Sequence, residues 1–471
     1  MKSIKLKYIK LPLVMLFFTL AGCQKLNESP KSFIAPETFF TTPAQVEATY
    51  AATMDYLWSY WGTYGYGMSN FHHDDQLLGG NLTISANHAS GLWAAHYSAI
   101  LNLNNAIRAM KDGSVKGADI TQLMAQAKFL RGYNYFMLVR MFGDLPLMTE
   151  DTIDPFKVQV SRSPIADVYK LIVEDLTEAT QSLPEVWPGA QIGRPARDAA
   201  KGLLAKVYLT MATAPMNDVS NYAKAADLAR QVIDAKRYAL VPDINKVFSV
   251  DTKYGPEMMW SYNSNFEDMA TDPQIWTDMD GWGDVGAEPE WEQKFPDGPR
   301  KKAYLQTEQG GVHYTVLGKN VGIKKYLYDA PSDFEDGRSI INVPILRFAD
   351  VLLIFAEADN MAKGGPTQAA VDALNRVIDR ANGNVENPQN PKALLGMTKE
   401  AFDKKVIQER NWELCFEYDR WFDLIRKRIL KEESRVEIQQ NYADHYLLFP
   451  IPANDIRINP LLKQNPGYPG N

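Results

Sequence analysis

The chain has few of the features that would mark its chemistry at once. Two cysteines, Cys23 and Cys415, in 471 residues exclude a disulfide framework, so the body must be held by its core. No charge of one sign dominates: 50 basic against 57 acidic residues gives −7, which excludes the basic footprint expected of a nucleic-acid binder. Beyond the first two dozen residues no apolar run is long enough to span a bilayer. No Gly-x-Ser-x-Gly elbow, phosphate-binding loop or dinucleotide fingerprint occurs. Metal ligands are poorly spaced. His72 and His73 are adjacent and cannot chelate one ion as helical i,i+4 ligands do. Asp278, Asp280 and Asp284 lie in a loop whose glycine is misplaced for an EF-hand, with Pro289 where the twelfth-position Glu belongs. The sequence therefore predicts no metal, no cofactor and no catalytic residue. Aromatic residues, by contrast, are plentiful: 10 Trp, 23 Tyr and 20 Phe.

The N-terminus carries a targeting signal. Lys2, Lys5, Lys7 and Lys10 precede an apolar stretch from Leu11 to Ala21, the pattern of a secretory leader and too short for a membrane-spanning helix. Leu20-Ala21-Gly22-Cys23 resembles a bacterial lipobox, in which the cysteine is acylated and becomes the mature N-terminus. Residues 1–22 are accordingly read as a signal peptide, Cys23 as the lipidation site and residues 23–43 as a polar tether. Cys415 then has no partner, and its place on an apolar helix face predicts an inert core thiol.

Helical periodicity dominates the remainder, residues 44–471. Thr42 and Pro43 read as N-cap and first helical residue of one helix. A second places Trp93, Tyr97, Ile100, Leu101, Leu103 and Ile107 on one face, and a third is closed by Gly143 with Pro146 beyond. Further helices are predicted over Ser163–Leu183, Pro195–Ala212 and Tyr222–Lys236. Near the C-terminus, "PILRFADVLLIFAEADNMA", "TQAAVDALNRVIDRANG" and one long stretch ending in "ERNWELCFEYDRWFDLIRKR" read as three more. The segments beginning at Leu203-Leu204 and Leu352-Leu353 both run helix, loop, Ala-rich helix, Val-Ile-Asp, which points to a degenerate tetratricopeptide-like repeat. This scaffold covers 44–240 and 343–471. Residues 241–342 between its halves are rich in Gly, Pro, Asp and aromatics, with "EMMWSYN" as a strand and "GVHYTVLGKNVGIKKYLY" as hairpin-like β structure. A second irregular aromatic segment spans Trp58 to Ser90.

Five motifs occur in a family's order: "AKFLRGYNYFMLVRMFGDLPL" (Ala127–Leu147), "GRPARDAAKGLLAKVYL" (Gly193–Leu209), "ILRFADVLLIFAEADN" (Ile345–Asn360), "ERNWELCFEYDRWFDLIR" (Glu409–Arg426) and "LLFPIPANDIRINPLLKQNPGY" (Leu447–Tyr468). With them the chain resembles the SusD/RagB-type nutrient-binding outer-membrane lipoproteins of Bacteroidetes. The resemblance implies a mostly α fold of tetratricopeptide-like helix pairs with long irregular loops and minor β structure. It also implies a partner and a place: a SusC/RagA-type TonB-dependent transporter at the cell surface, to which captured glycans, or occasionally peptides, are delivered.

The motif residues themselves read as scaffold. Glu409, Glu413 and Glu417 recur every four residues, and like charges so placed repel unless cations answer them; Arg347 or Arg131 is expected to do so. On the same stretch Arg420 is expected to reach Glu417 or Asp423, and Asp423 to reach Arg426. Ligand binding falls to the loops, because a sugar ring stacks its C–H face on an aromatic ring while its hydroxyls seek polar edges. The stacking candidates are Trp276 and Trp282, then Trp61 and Tyr66; Asn81, Asn87 and Arg300 are polar partners. Trp58, Trp93, Trp260 and Trp291 read as packing rings. Two other functions compete with glycan capture: peptide capture, which would use extended backbone pairing, and a surface glycosidase, which needs a carboxyl pair in a cleft.

Overall fold

The computed structural model describes residues 39–64, 87–116, 120–153, 159–267, 271, 286–327, 329–335, 338–434 and 436–470. Helix α1 (Pro43–Tyr64) starts where the sequence places it. The Gln45 side-chain carbonyl accepts from the Thr41 and Thr42 amides, both at 2.9 Å, and so ties the entry of the helix. Then follow α2 (Asn87–Lys111), α3 (Ile120–Phe142), α4 (Ile165–Ser182), α5 (Arg197–Met211) and α6 (Asn221–Ala235). Each helix packs on the next.

Periodicity explains the packing. In α4, Val168, Tyr169, Ile172, Leu176 and Ala179 form one buried stripe. In α3 the stripe widens to most of the surface, as befits a helix with neighbours on several sides. Gly143 ends α3 at φ +73°, a left-handed cap. Leu101, expected on the inward face of α2, is 43% exposed, one position off the buried line through Ile100 and Leu103.

After α6 the chain leaves the helical array for about a hundred residues, yet α6 packs directly on α7 (Phe348–Lys363), as if nothing intervened. The array continues through α8 (Gln368–Ala381) and α9 (Lys399–Glu413), whose N-termini are capped by Thr367 and Thr398. The predicted insertion is thus an excursion from an otherwise continuous stack. A two-stranded ladder closes its base: β1 (Met258–Tyr262) pairs antiparallel with β2 (Val343–Arg347). Here "PILR", expected to open a helix, is strand; Pro344 disfavours the helical conformation in the residue before it, and helix begins only at Phe348. Small residues set the closeness of the layers. A Cβ added to Gly202 of α5 would sit 2.8 Å from the Leu346 Cδ2 methyl, so the side chain of this β2 residue lies almost against the helix backbone.

The long C-terminal helix breaks. α9 ends at Glu413 and α10 (Arg420–Lys427) starts anew, with Phe416 and Tyr418 at φ +62° between them. Left-handed backbone at two aromatic residues is costly and persists only where the surroundings enforce it. Here the freed carbonyls are taken by buried donors. Lys325 Nζ donates to the Glu413 and Cys415 carbonyls at 2.9 and 2.7 Å, and the Tyr326 hydroxyl donates to that of Phe416 at 2.5 Å. Cys415 is fully buried and burial pushes its thiol up to about 11, as an inert core thiol should behave.

Candidate functional site

The acidic stripe becomes the hub of an internal ion network. Arg347, 1% exposed, donates to Glu257 (2.7 Å), Glu413 (2.8 Å) and Glu417 (2.7 Å). Arg380 bridges Glu257 and Glu413 at 2.8 and 2.6 Å, and Lys325 meets Glu417 at 2.7 Å. The expectation for Arg347 holds. Arg131 serves elsewhere, binding Asp175 at 2.7 Å and Glu150 at 2.5 Å between α3 and its neighbours. Arg420 meets Glu433 instead of Glu417, which lies across the helix break, or Asp423, whose oxygens accept from Arg410 and Arg426; Asp423 thus does pair with Arg426, at 2.8 Å. Burial alone would raise the Glu413 carboxyl, but Arg380, Arg347 and Arg300 hold it well below the usual carboxylate range. A glycoside-cleaving acid needs the opposite shift and an open cleft. This network is a clamp between the insertion and the helical stack.

Arg300, expected as a polar ligand contact, belongs to that clamp. Its guanidinium is 3% exposed, bound to Glu409 and Glu413 at 2.5 and 3.0 Å. Two buried carboxylates draw it inward, so it does not face solvent.

Trp61 is the second correction. It is 1% exposed, since positions 57, 58 and 61 share the inward face of α1. Its indole N–H donates to His96 Nε2 at 3.1 Å, while His96 Nδ1 lies 2.7 Å from Asn134 Oδ1. Asn134 Nδ2 donates to the Leu130 carbonyl, so its oxygen faces His96 and the Nδ1 proton sits between them. Burial holds this neutral imidazole down at about 4. The sign follows from linkage: below 6.5 the unfolded chain takes up a proton that the folded one refuses until about pH 4. Stability should therefore fall by up to about 3 kcal/mol as pH drops from 6.5 to 4, and His96→Gln should flatten that slope in thermal melts across the window. An unchanged slope in the variant would show that other groups carry it.

Around Trp61 the rings form a packed base. Trp58 lies 5.2 Å from Tyr262 of β1 between ring centroids, Trp61 lies 5.7 Å from Tyr418, and Trp260 packs edge-on against Phe129 and Tyr133. The last turns of α1 and the end of β1 therefore meet. Along the chain, the two aromatic segments of the sequence, 65–86 and 268–285 (apart from Thr271), follow these two elements. Trp276, Trp282, Tyr66 and Asn81 lie within them, outside the described residues, as do Asp278, Asp280 and Asp284; Asn87 opens α2. Of the ten tryptophans, the eight in the described residues are all buried or half-buried, including Trp58, Trp93, Trp260 and Trp291. Sequence reasoning passed over Tyr56 and Tyr60, an i,i+4 pair on the outer face of α1 with Tyr56 38% exposed and the rings 5.1 Å apart. Their signal was the polar spacing around Asp55 and Ser59.

A cavity of about 490 Å³ opens elsewhere, where α3, α4, α5 and α10 meet the C-terminal segment. Three of the five sequence motifs converge on it, and two of its polar side chains, Arg162 and Asn465, are engaged with the chain itself. Arg162 donates to the carbonyls of Asp144, Lys463 and Phe142 and to Asn465 Oδ1, and Asn465 Nδ2 donates to Phe142 and Phe449. It is how the C-terminal segment is held.

Comparison with known proteins agrees with this architecture. Residues 57–209 match the family model described as "Starch-binding associating with outer membrane", and residues 251–468 match that of the SusD family. The chain is 29% identical to the SusD-like protein P2 of Formosa agariphila, over 98% of its own length and 100% of that protein. Among solved structures it is similar to a SusD homologue from Bacteroides thetaiotaomicron, with TM-score 0.76, 22% identity and coverage of 92% and 98% of the two chains. It is also similar to a laminarin-binding SusD-like protein, with TM-score 0.72, 21% identity and coverage of 91% and 100%.

Proposed function

The chain belongs to the SusD-like family, and on that premise we propose that it is a cell-surface glycan-binding lipoprotein that captures oligosaccharides and delivers them to a SusC-like TonB-dependent transporter. The observation that carries this is the fate of the rings. The described tryptophans are buried or half-buried in packing, while the other two fall in a segment of the sequence rich in glycine and acids. Flat rings beside Asp and Gly suit the two-sided chemistry of a sugar, apolar on its face and hydroxylated at its edge. The relative that binds laminarin supports the ligand class.

Binding without cleavage follows from the same picture. The carboxylates in the motif region are consumed as counter-charges, and capture requires only a surface. Native gels cast with polysaccharides test this directly: the protein should be retarded by at least one of them and release no reducing ends. Released sugar would make the protein a glycosidase instead.

Attachment rests on Cys23. Among the described residues no helix is long and apolar enough to cross a membrane, so the lipid at Cys23 is the proposed anchor to the outer membrane. Cys23→Ala should move the protein out of the membrane fraction and abolish incorporation of radiolabelled palmitate. A variant that stays membrane-bound and labelled would refute the anchor.

A further inference from the structure

A second cleft, about 220 Å³, lies between the segment joining α4 to α5 and the segment leading into β1. Its floor includes Trp187 and its walls carry two half-exposed rings, Tyr238 and Tyr254. The seat of Tyr254 is built. Gly193 stands at φ +93°, and a Cβ there would come within 2.7 Å of the Tyr254 ring and of Asn263 Nδ2. Glycine lets the ring lie against bare backbone, and Asn263 fastens that backbone by donating to the Gly193 carbonyl at 2.9 Å. With its position so fixed, Tyr254 still keeps 38% of its surface exposed.

The polar rim is equally prearranged. Arg194 stacks over Trp187 at 5.5 Å and binds Glu47 at 3.0 Å. Arg237 holds the buried Asp198 through two hydrogen bonds, at 2.7 and 3.0 Å, and shares Glu185 with Arg197. Each arginine already has its carboxylate, so the cleft carries no uncompensated charge that would select an anion or a cation. It offers instead fixed donors, fixed acceptors and ring faces. A neutral ligand with one apolar face and a hydroxylated edge matches that combination, and the space suits one ring, not a folded chain.

Resting on the glycan-binding reading above, we infer that this cleft is a second carbohydrate-contact site, separate from the loop tryptophans, that takes one sugar ring of a longer chain against Tyr254 with Arg194, Arg237 and Glu185 at its edge. In sequence, Asn263, which fastens the seat, stands thirteen residues before Trp276. A chain long enough to touch both sites gains from each, whereas a short one reaches only the first.

The test uses the mature protein without its lipid. Native gels with laminarin, soluble starch, xylan, mannan and pectin identify a retarding polysaccharide. Short and long oligosaccharides cut from it are then titrated calorimetrically into the wild type, Tyr254→Ala and Ile192→Asp. Ile192 is a rim residue 49% exposed, so its exchange leaves the core alone. Both variants should weaken binding of the long chains by about tenfold and leave the short ones unchanged, with unaltered thermal midpoints. Unchanged affinity for the long chains in both variants, with binding abolished by Trp276→Ala and Trp282→Ala, would overturn the cleft and leave the glycan reading standing. A wild type retarded by none of the polysaccharides would overturn both.

Discussion

Replacing Arg347 by leucine is expected to destabilise the protein by at least about 3–5 kcal/mol, the usual cost of stripping one partner from a buried ion pair. Arg347 serves Glu257, Glu413 and Glu417 at once, and its Nη2 also donates to the Glu413 carbonyl at 2.6 Å. Removing it leaves carboxylates facing one another with only Arg380, Lys325 and Arg300 to answer. It also takes one of two donors from the Glu413 carbonyl, leaving it Lys325 alone, at the point where α9 gives way to the left-handed turn at Phe416 and Tyr418. Lysine at the same position should recover only part of the loss, since one ammonium cannot reproduce a planar fork that meets three carboxylates. Urea denaturation measures the effect, with Asp151→Asn as reference. That carboxylate is 70% exposed in its pair with Lys111, and its loss should cost no more than about 0.5 kcal/mol. Comparable losses in Arg347→Leu and the reference would show that the network is not the clamp described here.

Changing Trp276 and Trp282 to alanine together should weaken retention on the retarding polysaccharide by roughly a hundredfold, at about 1–1.5 kcal/mol for each lost stacking ring. Thermal midpoint and helix content should not move, as expected of rings that serve a ligand and not the core. The contrast with Trp61→Ala makes the test sharp. Trp61 donates to His96 and packs against Tyr418, so its loss should lower stability by about 3–5 kcal/mol, the range for truncating a large buried aromatic. Binding would suffer there only through the fold. If the double change leaves retention intact, the platform lies on other rings, and the exposed Tyr56–Tyr60 pair on α1 is next in line.

Much of the fold was legible because helices announce themselves locally. The Thr42 start, the Gly143 stop and the stripe in α4 are patterns within a few turns of one helix, and the structure keeps them to within one or two residues. The strand at Met258–Tyr262 was legible for the same reason. Long-range capture overrode local signals elsewhere. Nothing within 409–426 forbids one continuous helix; it breaks because Lys325, Tyr326 and Arg347, all distant in sequence, take the carbonyls of Glu413, Cys415 and Phe416. The site residues divide along the same line. Trp61 and Arg300 looked like ligand contacts because an aromatic or cationic residue beside a loop has no local mark of burial, and each found a partner in the interior instead, His96 for one and Glu409 for the other.

What the sequence determined by itself was the order of most of the helices and the five motifs shared with the SusD-like family. Period, caps and composition act between near neighbours along the chain, so a linear string carries them in full. Which charges answer one another, which rings face inward, and that Gly193, Tyr254 and Asn263 meet to line one cleft were decided only in three dimensions. Those outcomes depend on burial, and burial is a property of the assembled molecule.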